Sequence, residues 1–190
     1  MSAAEQLFAE KGYQDTRTTD IINASGCSTG SFYHRFSDKT DVARLMVKRF
    51  FAASKAEIEA LDYGKNAQPD LTAAIISLAT FVLNQMDARL GVYRAALRLL
   101  EVEPDVWQWF DGLSILQVMR FAEGLQQHRA EIGVADLDDA AINVVQLISM
   151  ICMQTRMGTG RLFPSDKDEL IKVLVRASLG VLCWKGSGNT

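Results

Sequence analysis

The chain has 190 residues, 48% of them apolar and 23% charged, an ordinary globular composition that excludes a disordered polymer and is ample for a core without disulfides. Cys27, Cys152 and Cys183 stand far apart with no CxxC spacing, which excludes a disulfide framework or a cysteine-based zinc site and points to a reducing cytoplasm. The net charge of −3 is uneven: residues 1–55 carry 8 Lys/Arg against 6 Asp/Glu and residues 56–190 carry 12 against 17, so a weakly basic head precedes an acidic body.

Only 3 prolines and 13 glycines interrupt stretches rich in helix formers. Apolar residues recur near a spacing of 3.6 from end to end, and no stretch alternates at a period of two long enough for a strand. The expected fold is all-α, with about nine helices. The first helix carries Ala4, Leu7 and Phe8 on one face and stops at Gly12, a residue suited to a left-handed cap. A second short helix is expected over about Thr19–Ser25 with Ile21, Ile22 and Ala24 inward, and Gly26-Cys27-Ser28 interrupts it. A third follows over about Thr29–Phe36, capped by Ser28 and burying Phe32 and Phe36 at i, i+4. Ser37 or Asp38 caps a long fourth helix through Val42, Leu45, Met46, Phe50 and Ile58, which ends at a polar linker, Asp62-Tyr63-Gly64-Lys65-Asn66. Residues 1–50 are therefore read as a head and 51–190 as a larger helical body.

In the body, Pro69 opens a fifth helix, Gly91 marks a weaker break before a sixth, and Glu103-Pro104 stops it. A seventh is expected from Asp105 to about His128, an eighth from about Asp136 to Met157 and a ninth from about Asp166 to Trp184. From Ala140 to Met153 only Asn143, Gln146 and Ser149 are polar, and they form one narrow stripe. That helix is too short and too polar for a membrane span. Together with the equally apolar ninth helix it is expected to pair with its copies in a two-fold dimer.

Residues 16–36 hold two short helices around a glycine-containing turn, the pattern of a helix-turn-helix whose second helix enters the major groove of DNA. Ser28, Thr29, Gly30 and Ser31 occupy its first turn, where short side chains allow close approach. Tyr33, His34 and Arg35 follow as longer donors toward flanking phosphates, and Thr18 and Lys39 stand on either side of the motif. No Arg, Asn or Gln lies among the first-turn reading positions, so shape, water and backbone contacts carry much of any sequence preference.

The run Ala4-Glu5-Gln6-Leu7-Phe8-Ala9-Glu10-Lys11-Gly12-Tyr13, then Thr16, Asp20-Ile21, Ala24-Ser25-Gly26 with Ser28, Gly30-Ser31-Phe32-Tyr33-His34-Arg35-Phe36 and Asp38-Lys39 resembles the tetracycline-repressor (TetR) family of bacterial transcription regulators. The resemblance is concentrated in residues 4–48. It implies phosphate contacts at Thr18, Ser28, Tyr33, His34 and Lys39 and base-edge positions at Thr29, Gly30 and Ser31. It further implies a cytoplasmic homodimer, a repressor released from a palindromic operator by a small-molecule effector, with no cofactor, metal or catalytic residue. Three departures stand out: Arg17 and Thr18 replace a small polar and an apolar residue, Ile22 replaces a common alanine, and the chain begins inside the family's usual first helix, which leaves Met1 open as the natural start.

Expected effector contacts are the pocket-capable residues of the body: Met86, Tyr93, Leu97, Trp107, Trp109, Phe110, Met119, Met150 and Met153. Trp107 and Trp109, two apart on a helix, cannot both face one core. Two other readings compete. Gly26-Cys27-Ser28-Thr29-Gly30 fits the nucleophile elbow of hydrolases, which requires a strand before the serine, and the preceding residues follow a helical pattern instead. The other is a helical scaffold or partner-binding protein whose helix-turn-helix is merely structural.

Overall fold

The computed structural model describes residues 3–183, with nothing described for the side chain of Trp107; Trp184, the expected end of the last helix, lies outside the described residues. The described elements are α1 (Ala3–Glu10), α2 (Thr18–Ser25), α3 (Thr29–Tyr33), α4 (Lys39–Glu59), α5 (Leu71–Ala88), α6 (Leu90–Leu99), α7 (Val106–Gln127), a 3-10 turn at Arg129–Glu131, α8 (Leu137–Met157) and α9 (Lys167–Cys183). The fold is all-α.

Local chemistry sets most helix ends. Gly12, Gly26 and Gly158 adopt the left-handed conformation that follows α1, α2 and α8. The Asp38 carboxylate accepts from Thr40 N and Asp41 N at the start of α4, and Asp136 does the same for Asp138 N and Asp139 N at the start of α8. Asp70, the residue after Pro69, caps α5 by accepting from Ala73 N at 2.7 Å.

Two compact units form, one from the described residues of Met1–Lys55 with Asp87–Asp111, the other from Ala56–Met86 with the described residues of Gly112–Thr190. Helices α4, α5 and α7 contribute residues to both. In the first unit, Phe8, Ile21, Ile22, Phe32, Val47 and Phe50 are buried. Fully burying an apolar side chain of this size contributes about 1.5–3 kcal/mol. Helix α1 lies against α6 so closely that a Cβ on Gly91 would sit 2.0 Å from the Glu5 carbonyl oxygen. Gly91 is therefore a packing residue inside α6, and the break falls at Arg89, not at Gly91 as its residue type suggests. The Arg94 guanidinium donates to the Ala9 carbonyl near the end of α1, and Arg89 faces the buried Glu5 carboxylate at 3.8 Å.

In the second unit, α5 buries Leu71, Ala74, Ile75, Leu78, Ala79, Val82, Leu83 and Met86. By length and composition alone this helix could cross a membrane, yet its apolar face is core. The Asp62–Asn66 segment is not a free linker. Tyr63 is fully buried, accepts from Gln117 Nε2 at 2.6 Å and meets Phe121 edge-on at 5.4 Å. Burial pushes its phenol pKa well above the ordinary value. His128, also fully buried, has Nδ1 3.1 Å from Glu131 Oε1 and Nε2 3.1 Å from the Tyr63 carbonyl. Helix α8 packs on α9. It buries Ala141, Val144, Val145, Ile148 and Cys152 and leaves Ile142 and Met150 exposed.

Candidate nucleic-acid interface

Helices α2 and α3 join through Gly26 (φ 68°), whose N–H donates to the Asn23 carbonyl. The Ser28 hydroxyl accepts from Ser31 N at 3.1 Å, which caps α3 as its sequence predicts. The helix ends at Tyr33 rather than Phe36. Beyond it the chain continues as turns held by His34 N to Gly30 O and Phe36 N to Phe32 O, both 3.0 Å. Behind this pair Ile21, Ile22 and Phe32 are buried, and Phe32 meets Phe36 at 5.5 Å between ring centroids. Ala24, expected inward, is exposed. Ile22, bulkier than the family's common alanine, fits at 7% exposure.

The opposite face is open. Ser28, Thr29, Gly30, Ser31, Tyr33 and His34 are all exposed, Tyr33 to 55%. A Cβ added to Gly30 would meet nothing within 4 Å. The fold itself does not require glycine at this first-turn position of α3. Thr18 is half-buried at the first position of α2, and the Asp20 carboxylate accepts from Arg17 N at 3.0 Å.

Lys39 stands at the start of α4. Its ammonium nitrogen lies 2.7 Å from the Tyr13 carbonyl, 3.1 Å from Gln14 O and 2.8 Å from Thr16 O, and 4.6 Å from the Tyr13 ring centroid. These three carbonyl oxygens gather around one half-buried ammonium. Behind α4's first turn, Arg44 Nε donates to both Glu103 oxygens, at 2.9 and 3.1 Å, and its terminal nitrogens reach Glu103 and Asp41. The guanidinium holds the Glu103 carboxyl below its usual range, and the Ser37 N–H, followed by Arg44, does so for Asp41.

Of the expected effector residues, the first unit brings together Tyr93, Trp109 and Phe110, with Phe50 and Phe51 added. Phe51 meets Phe110 at 4.8 Å and Trp109 at 5.6 Å, and Tyr93 meets Phe50 at 5.3 Å and Phe110 at 6.1 Å. Phe50 is legible in the sequence as a core position of the fourth helix, but nothing in the spacing ties α4 to these rings. Leu97 is 38% exposed on α6. In the second unit Met86 is buried, Met153 half-buried, and Met119 and Met150 are exposed on α7 and α8. The expectation for the Trp107 side chain lies outside the described residues. A separate cleft of about 490 Å³ in the first unit, walled by Ile21, Phe32, Phe36, Leu45, Met46 and Phe50, involves none of the expected effector residues.

The elbow-like pentapeptide lies between two helices, and Ser28 is a helix cap in it. Among the described residues no group of three His, Cys, Asp or Glu side chains is placed to hold a metal.

Residues 1–46 match the family profile described as bacterial regulatory proteins, tetR family. The HTH-type transcriptional regulator HbdR of Aromatoleum sp. (strain CIB) is 32% identical over 100 residues, which are 52% of this chain and 44% of that protein. The match thus spans less than half of that relative's length. Among solved structures, a tetR-family bacterial regulatory protein from Rhodococcus RHA1 is 20% identical with a TM-score of 0.65, covering 95% of this chain and 93% of that one. GusR of Salmonella enterica is 18% identical with a TM-score of 0.61, covering 95% and 91%. At these identities the likeness is one of fold. The glycine-turn helix pair, its Ser28 cap and its buried aromatic anchors lie inside the matched segment, so residues 1–46 of this chain are similar to the tetR family of bacterial regulatory proteins, and the remaining helices follow the fold of these solved structures.

Proposed function

We propose that this protein is a cytoplasmic DNA-binding transcription regulator, a homodimeric repressor that holds a palindromic operator through α3 and releases it when a small molecule occupies its body. The observation that carries this reading is the two-sidedness of the α2–α3 pair. Phe32, Ile21 and Ile22 anchor one face, while Ser28, Thr29, Gly30, Ser31, Tyr33 and His34 present an unobstructed small and polar face, with Thr18 at the margin. Thr29, Gly30 and Ser31 face base edges in this reading, and the other named residues meet phosphates. Residues 1–50 form the reading head, and 51–190 supply effector binding and dimerisation.

The dimer is formed through α8 and α9. Ile142, Met150 and Met153 recur on one exposed or half-exposed face of α8, and Ile171, Val175 and Leu179 form a half-exposed stripe on α9. Two-fold pairing covers both, and in the DNA-bound form it holds the two α3 helices about 34–36 Å apart for successive major grooves. The effector contacts the rings of Tyr93, Trp109 and Phe110. It acts by binding the released state more tightly, since only that difference shifts the population.

The test is to map the sequence protected upstream of the protein's own gene and titrate that duplex at physiological salt. Tyr33→Ala weakens binding nearly uniformly across duplexes, whereas Thr29→Ala or Ser31→Ala changes which duplex is preferred. A chain that binds no duplex above background at physiological salt is a helical scaffold instead. Sedimentation reads the dimer, which Met150→Glu converts to monomer. Tryptophan emission titrated against metabolites and toxic organics reads the effector, and a flat response throughout removes the ligand from these rings.

A further inference from the structure

We propose that Arg17 is a further DNA-contacting residue: its guanidinium, at the head of α2, takes a backbone phosphate of the duplex beside the α3 face. The proposal rests on the DNA-binding reading above and adds a cation that the resemblance does not supply, since the family commonly has a small polar residue at this position.

Arg17 is a poor choice for the fold. It is the N-cap of α2, with extended backbone at φ −92° and ψ 156°. Serine, threonine, asparagine and aspartate lead at N-caps because their oxygens accept a first-turn N–H. A guanidinium has donors only, and Arg17 makes no side-chain cap. Its positive charge also stands at the positive end of the helix dipole, where anions are favoured. The start of α2 is held by Asp20 instead, whose carboxylate accepts from Arg17 N at 3.0 Å and lies 3.9 Å from Lys11 Nζ. The Arg17 side chain is exposed, and no hydrogen bond or ion pair of its guanidinium occurs among the described residues. A residue that breaks two local rules and gains nothing from the fold marks a functional position.

The surroundings indicate which function. Of the eight Lys/Arg in residues 1–55, Lys11 lies against Asp20, Lys39 is gathered by three carbonyls, and Arg44 is tied to Glu103 and Asp41. Thr18, Ser28 and Tyr33, proposed above to meet phosphates, bring hydroxyls and no cation. Arg17 directly precedes Thr18. The carbonyl of Thr16, one residue earlier, accepts from Lys39 Nζ at 2.8 Å, which sets the Arg17 backbone next to a second cation. A guanidinium is a planar fork of donors that matches two oxygens of one phosphate. Neutralising that phosphate releases counterions, the effect that supplies essentially all sequence-independent affinity for a duplex. Arg17 therefore adds affinity and register, and no base preference.

Two variants of the full chain, Arg17→Ser and Arg17→Lys, each titrated with the protected duplex over a range of salt, decide the matter. Arg17→Ser weakens binding by about tenfold, equally for the operator and an unrelated duplex, and the slope of log affinity against log salt becomes shallower by about 0.9, the share of one phosphate. The same substitution raises the urea midpoint, because the introduced hydroxyl accepts from Asp20 N and completes a capping box with the Asp20 carboxylate. Affinity and stability thus move in opposite directions. Arg17→Lys keeps the parental slope. Parental affinity and slope in Arg17→Ser, a lowered urea midpoint in that variant, or a slope as shallow in Arg17→Lys as in Arg17→Ser each overturns the contact. A wild-type chain that binds no duplex refutes the DNA-binding reading itself, whereas a wild type that binds and an Arg17→Ser that binds equally well refute the role of Arg17 alone.

Discussion

Replacing Gly91 with alanine sets two effects against each other. On helix propensity alone the change stabilises, by at most about 1 kcal/mol. The structure opposes it: the new Cβ lies 2.0 Å from the Glu5 carbonyl oxygen, 2.9 Å from the Glu5 carbonyl carbon and 3.1 Å from Ala9 N. The oxygen contact is more than about 1 Å inside van der Waals separation. Backbone atoms make all three contacts, so no rotamer change relieves them, and α1 must shift away from α6. Overpacking of this kind costs about 1–3 kcal/mol, which exceeds the propensity gain at all but the lower edge of that range. With the full propensity gain subtracted, the net expectation is a loss of up to about 2 kcal/mol, or up to about 8 °C in Tm at this chain length. Gly112, exposed on α7, is the control: a methyl added there meets nothing within 4 Å, and Gly112→Ala stabilises by about 0.5–1 kcal/mol. Urea unfolding of both variants measures the pair of effects. Equal stabilisation by the two substitutions would refute the close approach of α1 and α6.

Three further outcomes are expected. The carboxyls of Glu103 and Asp41 both titrate below their ordinary values, so their contribution is fully present above the unfolded pKa and fades as pH falls through the lowered folded one. With Arg44 41% and Glu103 31% exposed, the Arg44–Glu103 pair contributes no more than about 1 kcal/mol. Arg44→Met is therefore less stable than wild type by that amount near neutral pH, and the gap closes as acid protonates Glu103; a gap undiminished by acid assigns the loss to something other than this pair. Tyr63→Phe leaves the buried Gln117 amide without its acceptor and costs about 1–3 kcal/mol in chemical denaturation, whereas adding Gln117→Leu recovers most of the loss. Ser28→Ala removes the α3 cap and costs about 0.5–2 kcal/mol, read from the urea midpoint; unchanged stability shows that the cap contributes nothing.

The helices and the exposed polar face of α3 were legible in the sequence because their determinants are local. The 3.6 spacing of apolar residues, Ser28 three residues before the N–H it accepts from, and Gly26 at a left-handed turn all act within one or two turns of chain. The Ser28–His34 segment could thus be placed on an open helix before any packing was known. Contacts between distant segments leave no such periodic trace. Arg44 meets Glu103 59 residues away, and His128 meets the Tyr63 carbonyl 65 residues away, turning an expected linker into an anchored segment. Gly91 reads as a helix breaker until α1 is laid against it, and Phe51 reads as one more apolar residue until α7 brings Trp109 and Phe110 to its ring. Lys39 shows the division most sharply. Its charge and its place after the third helix were written in the sequence, but only the folded α1–α2 loop brought three carbonyls to its ammonium.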